Sequence, residues 1–267
     1  KEIEDTQTQE QIITSTEYHQ QEQKNDFPIP AVLDQLGLFD KNSKSINCDQ
    51  QSYREAKALM NCTYRYQHKI SLLYVSKGQR DQQQILGNSS FSPEFSSFMK
   101  KMGYVIDMRT HCCSVGGLDN KTFSTGYISL FYADCNHEVT FHVPSLLTDA
   151  KNDTQYIYKK RHIGNDSVHI IWTEDSEEYK VTTIVSHFNH AHIIIYPLGD
   201  GMYCVHVHQK PDVPWFGPLR QKSIVSEDSL VGLVRYTAIM ADHQINLKKQ
   251  GETIKATHEP SVQLSPS

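Results

Sequence analysis

Seven short apolar runs constrain the fold of this chain more than any other feature. Each run spans seven to ten residues, which suits a β-strand and is too short for a membrane-spanning helix. Polar or amphipathic segments separate the runs, so strands are expected to alternate with helices and turns. This pattern predicts an α/β fold with a central, mostly buried β-sheet and flanking helices. The runs cover residues 69–76, 104–110, 126–134, 137–144, 167–174, 190–199 and 201–210.

Two neighbouring runs predict a β-hairpin. Only two residues separate the runs 126–134 and 137–144, which leaves room for a tight turn between antiparallel strands. Within the second run, polar and apolar residues alternate from Glu138 to Val143. A period of two predicts that this strand has one buried face and one wetter face.

Two longer segments are predicted to be core-facing helices. In residues 92–103, Ser92 offers an N-cap, Pro93 suits the first turn, and Phe and Met side chains recur at helical spacing. Residues 226–247 begin with a serine and two acidic residues, which suit a helix N-terminus, and carry apolar residues on one side.

Three connecting segments have less regular patterns. Residues 78–90 are rich in glycine, glutamine, asparagine and serine and are predicted to form a loop. Residues 148–161 are polar and are predicted to be helical. The proline-rich residues 211–219 are predicted to form a loop that presents Trp215 and Phe216.

Length and composition suggest the domain organisation. A chain of 267 residues, of which 38% are hydrophobic, can bury the core of one large domain. Residues 1–26 lack a sustained apolar stripe and are expected to be a disordered lead-in. We predict that the folded region spans residues 27–250, where residues 27–68 are open to interpretation as a small N-terminal subdomain. Residues 251–267 are predicted to form a C-terminal tail.

Charge, hydropathy and cysteine content indicate which partners and which cellular compartment to expect. A net charge of −5 gives no reason to expect nucleic acid or an anionic membrane as a partner. Since no apolar run reaches the roughly 18 residues that a span needs, we predict no membrane span. The six cysteines are few for a chain of this length, and we interpret them as reduced thiols of a cytoplasmic protein.

The segment from Lys159 to Trp172, KKRHIGNDSVHIIW, has the most unusual local chemistry. Its cations suit the negative end of a helix dipole, and Gly164 suits a left-handed helix cap. The segment is therefore predicted to end a helix. That interpretation accounts for the cations and the glycine, but it does not require Asn165 and Asp166 to follow.

The sequence lacks the motifs of several common catalytic and nucleotide-binding sites. The chain has no glycine-rich phosphate loop and no G-x-S-x-G turn. His111 and Cys112 are adjacent, so on a strand their side chains would point to opposite faces. The clustered histidines lack the spacing of a zinc motif, so we predict no metal site and keep a metal-dependent hydrolase as an alternative. These histidines are His187, His190, His192, His206 and His208.

The segment KKRHIGND resembles the catalytic motif of the Rap/Ran-type GTPase-activating domain. That family includes the GAPs of Rap, tuberin for Rheb, and the RalGAP α subunits. Further blocks of the chain resemble the family in the family's own order, and they are residues 73–79, 92–103, 115–119, 124–126 and 139–147. The family motif K-R-H-[IL]-G-N-D stands here as Lys160, Arg161, His162, Ile163, Gly164, Asn165 and Asp166.

The resemblance implies a RapGAP-type α/β domain that activates a small GTPase in trans. The family's asparagine thumb falls on Asn165, which would be the catalytic residue. Gly164 would let the backbone turn, and Asp166 would cap backbone N–H groups or orient the amide. The remaining motif residues would support the thumb or bind the partner, and they are Lys160, Arg161 and His162.

The resemblance also implies the partners. GTP and Mg²⁺ belong to the GTPase, so no cofactor of the domain's own is expected. Residues 164–172 and 210–219 resemble the RalGAP α branch most, which ranks Ral first, Rheb second and Rap third as the Ras-family partner. A second regulatory subunit is implied in the same way. The alternative is a small-GTPase-binding module without catalysis.

Overall fold

A computed structural model describes most of the chain from residue 65 onward. The chain divides into two compact units, Lys1–Tyr64 and Arg65–Ser267. The predicted lead-in, residues 1–26, lies outside the described residues. Side chains are described as far as residue 250, and the described residues are 49–51, 54, 65–149 and 153–258.

One eight-stranded mixed sheet forms the centre of the second unit. Its strands are β1 Tyr66–Val75, β2 Tyr104–Asp107, β3 Ile128–Ala133, β4 His137–His142, β5 Val168–Thr173, β6 Ala191–Gly199, β7 Met202–Gln209 and β8 Lys222–Ser226. They lie in the order β2-β3-β4-β1-β5-β6-β7-β8.

The four middle strands, β4, β1, β5 and β6, run parallel to one another. The outer strands are antiparallel to their neighbours on both sides of this parallel centre. Parallel strands require crossover connections, and these cover the faces of the sheet. The middle strands are therefore buried on both faces.

Among the described residues, four α-helices pack against the sheet, and they are α1 Gln82–Leu86, α2 Pro93–Met102, α3 Ile157–Ile163 and α4 Glu227–His258. Helices α2 and α4 pack on one face, where the first core contains Phe95 and Trp172. Helices α1 and α3 and the β5–β6 connection pack on the other face, where the second core contains Ile85 and Ile163. Among the described residues, none of the helices combines the length and the apolar character of a membrane span.

The seven predicted strands are confirmed as β1 to β7, and the hairpin between β3 and β4 is confirmed as well. The predicted wetter face of β4 is wrong, because Glu138, Thr140 and His142 are all buried. The connection after β2 covers that face: Thr140 Oγ1 donates to the Ser114 carbonyl oxygen at 2.9 Å. Strand β8 was not predicted, since its five residues have no sustained apolar run.

Helices α2 and α4 are confirmed, while two other predictions are wrong. The segment predicted as a loop contains α1, which begins with a capping box between Asp81 and Gln84. The helix predicted for residues 148–161 begins only at Ile157, because Asp153 accepts hydrogen bonds from the backbone N–H groups of Ile157 and Tyr158 at 2.9 and 2.8 Å. Helix α4 continues into the predicted tail.

The loop 211–219 exposes only one of its two large aromatic residues. Trp215 is 72% exposed, as predicted, whereas Phe216 is 3% exposed and belongs to the first core. Gly217 has φ +62°, and a Cβ there would lie 2.8 Å from Thr237 of α4. This left-handed turn against α4 directs Phe216 inward.

A row of polar side chains crosses the sheet on the face of the second core. The register aligns His142, Ser71, His169 and His192 on adjacent parallel strands, and His208 follows on β7. The first four are buried. Burial disfavours charged imidazole, and it lowers the pKa of His192 to about 3, with the nearby His169 and His208 adding to the effect.

We expect the protein to lose stability as the pH falls from about 6.5 to about 3, the folded pKa of His192. In that window an unfolded histidine, whose ordinary pKa is near 6.5, binds a proton that folded His192 does not bind. Protonation therefore favours the unfolded chain, with a slope of up to about 1.4 kcal/mol per pH unit for one such histidine. Urea unfolding at a series of pH values measures this slope.

The contribution of one side chain can be isolated by substitution. His192→Gln should reduce the slope because it removes a group that titrates only in the unfolded chain. His187→Gln, at an exposed histidine outside the strands, should leave the slope unchanged. The same pH dependence in all three proteins would contradict the prediction.

Candidate functional site

Asn165 lies on a tight turn between α3 and β5. Helix α3 ends at Ile163, and Gly164 is its C-cap. The backbone N–H of Asn165 donates to the His162 carbonyl at 3.1 Å, and that of Asp166 donates to the Ile163 carbonyl at 3.3 Å. Asn165 is exposed, whereas Gly164 and Asp166 on either side are buried. The turn therefore presents the amide at the surface from a buried base.

The side chain of Asp166 ties this turn to the sheet. Its Oδ2 accepts hydrogen bonds from Ser71 Oγ at 2.6 Å and from His142 Nδ1 at 2.8 Å. Ser71 belongs to β1 and His142 to β4, so one carboxyl group links the turn to two strands. We predicted that Asp166 would cap backbone N–H groups or orient the amide; its bonds go to these two side chains instead, because it points into the sheet.

A glycine is needed at position 164 because a side chain would clash there, and not because of the backbone angle. Its φ is −68°, which is right-handed helical, so the predicted left-handed cap is wrong. A Cβ at this position would lie 2.9 Å from the Lys160 carbonyl oxygen. The Gly164 carbonyl also accepts a hydrogen bond from the Ser186 hydroxyl of the β5–β6 connection. A larger residue would have to displace the end of α3.

His169 supports the end of α3 from the sheet below. Its Nε2 lies 2.9 Å from the Ile163 carbonyl oxygen, so Nε2 carries the proton that is donated there. Its Nδ1 is then an acceptor, and Asn189 Nδ2 lies 3.5 Å from it. Burial lowers the pKa of His169, which keeps the ring neutral and preserves this pairing of donor and acceptor.

The basic residues of α3 occupy different environments. Lys159 is buried, and its Nζ lies 2.7 Å from Asp149 Oδ1 and 3.4 Å from the Leu86 carbonyl oxygen. It therefore forms a structural ion pair instead of interacting with the helix dipole at the surface. Lys160 is half-buried and Arg161 is exposed, so these are the two α3 cations that a partner can reach.

His162 packs against His142, which forms a hydrogen bond with Asp166 of the turn. Its ring lies 5.6 Å from the ring of His142 at an angle of 70°. Burial, followed by the nearby His142, lowers the pKa of His162 to about 4. At neutral pH the ring carries no charge, so His162 contributes packing and adds no positive charge to this surface.

Asn165 lines a surface cleft of about 560 Å³. Cations, amides and one exposed aromatic ring surround the opening. Besides Asn165, the lining residues include Lys69, Ser167, Phe188, Asn246 and Lys249.

Hydrogen bonds fix the α4 wall of the cleft. Lys249 Nζ donates to Ser167 Oγ at 3.0 Å, directly beyond Asp166 in the chain. Asp242 Oδ2 lies 2.9 Å from His68 Nδ1 on β1, and Asn246 Nδ2 donates to the same carboxyl oxygen at 2.9 Å. Helix α4 is thus bonded both to β1 and to the turn that carries Asn165.

Another cleft, of about 300 Å³, lies between α2 and α4 and is lined in part by Phe98 and Trp172. It opens on the face of the first core, and no residue of the motif 160–166 lines it. The cleft beside Asn165, in contrast, combines a residue of the motif with reachable polar groups.

Similarity to known proteins gives this domain its family. The family model described as Rap/ran-GAP matches residues 85–261, more than half of the chain. The chain belongs to the Rap/ran-GAP family. The matched range contains α3, the turn with Asn165 and the cleft wall formed by α4, so the family assignment covers most of the site.

Curated relatives of the Rap/ran-GAP domain are much longer proteins. The chain is 36% identical over 218 residues to the Mus musculus Ral GTPase-activating protein subunit alpha-2, which covers 80% of this chain and 12% of that protein. It is also 36% identical over 208 residues to the Homo sapiens Ral GTPase-activating protein subunit alpha-1, covering 78% of this chain and 10% of that protein. The chain thus spans about a tenth of the length of these relatives.

A solved structure has the same fold. The TSC2 GAP domain superimposes with a TM-score of 0.63 and 29% sequence identity, and the match covers 69% of this chain and 100% of that one. The predicted α/β fold with a central sheet and flanking helices is therefore confirmed.

The motif residues predicted from the sequence lie together on α3 and the following turn. The surrounding residues that hold or line the site were not predicted. A serine inside the apolar run of β1 was the one visible signal for Ser71, since a buried hydroxyl requires a partner. The residues missed were Ser71, His142, Ser167, Phe188, Asn246 and Lys249.

Loss of one hydrogen bond to Asp166 should destabilise the fold. Ser71→Ala is expected to lower the free energy of unfolding by about 1.5–3 kcal/mol, because it removes a buried bond to an ionisable group. Ser129 is also buried in the sheet, but its Oγ lies 3.5 Å from the Phe141 carbonyl oxygen, near the limit of a hydrogen bond. Ser129→Ala should therefore cost less than about 1 kcal/mol. Urea unfolding at neutral pH compares the two, and equal losses would count against the anchoring role.

Proposed function

We propose that this domain stimulates GTP hydrolysis by a Ras-family small GTPase and that Asn165 is its catalytic side chain. The observation that carries the proposal is an exposed amide on a turn whose base is fixed to two strands by Asp166. Membership in the Rap/ran-GAP family supports it, as do relatives named Ral GTPase-activating protein subunits.

An amide can assist this reaction because it both donates and accepts hydrogen bonds. Hydrolysis of GTP requires a water molecule in line with the γ-phosphate and stabilisation of the charge that develops as the bond breaks. The Asn165 carbonyl can accept from that water while the NH₂ group donates to phosphate or to the GTPase. The side chain needs no change of charge for either contact.

One amide cannot supply the whole effect. A GAP that inserts an arginine accelerates hydrolysis by about 10⁵-fold, or roughly 7 kcal/mol. A hydrogen bond to a charged group contributes about 1.5–3 kcal/mol. The remainder must come from alignment of the water and from ordering of the partner's mobile segments. A turn that is already fixed contributes to this alignment, because little freedom is lost when the partner binds.

The cations beside Asn165 are assigned to docking. Arg161 is exposed next to the turn, and Lys69 and Lys249 line the cleft. Positive side chains around the opening attract the acidic surface and phosphates of a GTP-bound partner. Phe188, which is 54% exposed on the same cleft, offers an apolar contact between them.

Ral is our first candidate for the partner, followed by Rheb and then Rap. The relatives that are 36% identical to this chain are named as subunits of Ral GTPase-activating proteins. Their names also support a second regulatory subunit as part of the proposal. GTP and Mg²⁺ would be brought by the GTPase, and the reaction would take place in the cytoplasm.

Asn165→Ala should abolish most of the stimulation without unfolding the domain. The side chain is exposed, so the fold loses no buried contact. We expect the single-turnover rate of GTP hydrolysis at saturating GAP to fall by about 10²–10³-fold, as when one preorganised donor is removed from an active site. The assay uses Ral, Rheb and Rap, each loaded with GTP.

Arg161→Ala is the matched control on the same surface. It should weaken binding and lower the saturated rate much less than Asn165→Ala does. A larger loss for Arg161→Ala would favour an arginine finger. Full stimulation by Asn165→Ala would exclude the thumb assignment. If the wild-type domain binds the GTP-bound partner but does not stimulate hydrolysis, the result would favour a non-catalytic binding module.

Phe188→Ala should weaken docking and leave catalysis at saturation intact. Loss of an exposed aromatic contact at an interface is expected to raise the half-saturating GAP concentration about tenfold. Tyr104, 53% exposed on the edge strand β2, is an equally exposed aromatic residue that does not line the cleft. Tyr104→Ala should change that concentration less than about twofold. Equal effects of the two variants would argue against docking at the cleft.

A further inference from the structure

Two histidines and a carboxylate meet on the sheet away from the proposed thumb. His206 and His208 lie on β7, and Glu178 lies on the β5–β6 connection. One ligand atom from each side chain lies within 4.8 Å of the other two. We propose that Glu178, His206 and His208 form a binding site for one divalent transition-metal ion, with zinc as the ion that fits best.

The backbone places the two imidazoles on one side. Residues two apart on a strand point to the same face, and the rings of His206 and His208 are 6.4 Å apart. Glu178 Oε1 lies 3.6 Å from His206 Nδ1. Tetrahedral zinc with bonds of about 2.0–2.2 Å holds neighbouring ligand atoms roughly 3.3–3.6 Å apart. The three ligand atoms lie within 4.8 Å of one another, so small rotations of the exposed side chains Glu178 and His208 would bring them to that spacing.

One of the proposed ligand atoms is a buried nitrogen that lacks a hydrogen-bond partner among the described residues. His206 Nδ1 is buried, and among the described residues it has no hydrogen-bond partner. Its separation from Glu178 is longer than a hydrogen bond. Buried polar atoms nearly always have a partner, so an ion between these two side chains would satisfy the nitrogen and the carboxylate together.

The local charges permit a dication. Lys222 stands opposite His206 on β8 and would repel a metal ion. Its side chain is exposed, so the ammonium group can turn into solvent. The donor set of two imidazoles and one carboxylate leaves a position open for water.

The surroundings of the group are already ordered. The ring of Tyr196 packs 4.9 Å from that of His206, and the Tyr196 hydroxyl accepts a hydrogen bond from the backbone N–H of Tyr179 at 3.0 Å. Tyr179 follows Glu178, so the connection is held against the sheet at this point. A bound metal ion would fix it further, and the same connection carries Ser186, which donates to the Gly164 carbonyl beneath the thumb turn.

The test is a zinc titration of the whole chain after treatment with a chelator. Calorimetry with zinc chloride should detect one strong site in the wild type, and thermal unfolding should shift to higher temperature when zinc is present. Glu178→Gln and His208→Asn should each weaken binding more than about tenfold. Both positions are exposed, so both variants are expected to fold.

Matched controls separate this site from non-specific binding. Glu177→Gln removes the adjacent carboxylate, which pairs with Arg80, and His187→Asn removes an exposed histidine outside the group. Both should bind zinc within about twofold of the wild type. No binding by the wild type, or equal weakening in the ligand variants and the controls, would overturn the proposal. So would loss of binding in a Cys112→Ser, Cys113→Ser double variant that keeps the three ligands.

Discussion

The carboxyl group of Asp166 is buried between β1 and β4 and joins the turn after α3 to both strands. Its neighbour Asn165 can be exposed and still be held in place, because the backbone between them is anchored on the inner side. A buried polar group that loses a hydrogen-bond partner destabilises the fold. The position of the exposed Asn165 amide therefore depends on the buried contacts of the residue next to it.

The buried polar side chains that cross the parallel strands also support the turn after α3. His169 donates to the end of α3, His142 donates to Asp166, and both rings belong to strands that lie beside β1. Burial lowers the pKa of His169, so this ring is neutral and has one donor and one acceptor with fixed roles. The sheet is thus more than an apolar platform: its second face presents oriented hydrogen-bonding groups to the turn above it.

Much of the fold could be predicted because strand length and apolar pattern are local properties. The seven runs correspond to β1–β7, and the caps at Ser92 and the acidic start of α4 correspond to α2 and α4. The errors arose where local patterns compete. The capping box at Asp81 stabilises α1 in a segment whose composition is typical of a loop. Asp153 accepts a hydrogen bond from the backbone N–H of Ile157, where α3 begins, so this helix is shorter than predicted. The burial of Thr140 depends on a connection that covers β4, which no pattern within β4 reveals.

The sequence by itself determined seven of the eight strands, the family motif and the position of Asn165 within it. Only the tertiary structure decided what holds that residue and what surrounds it. Ser71 and Asp166 are 95 positions apart, and Ser167 and Lys249 are 82 apart, yet each pair is bonded. The same applies to Glu178 and the β7 histidines. Such contacts follow from strand register and from crossover paths, and these are set by packing of the whole chain rather than by any local stretch of it.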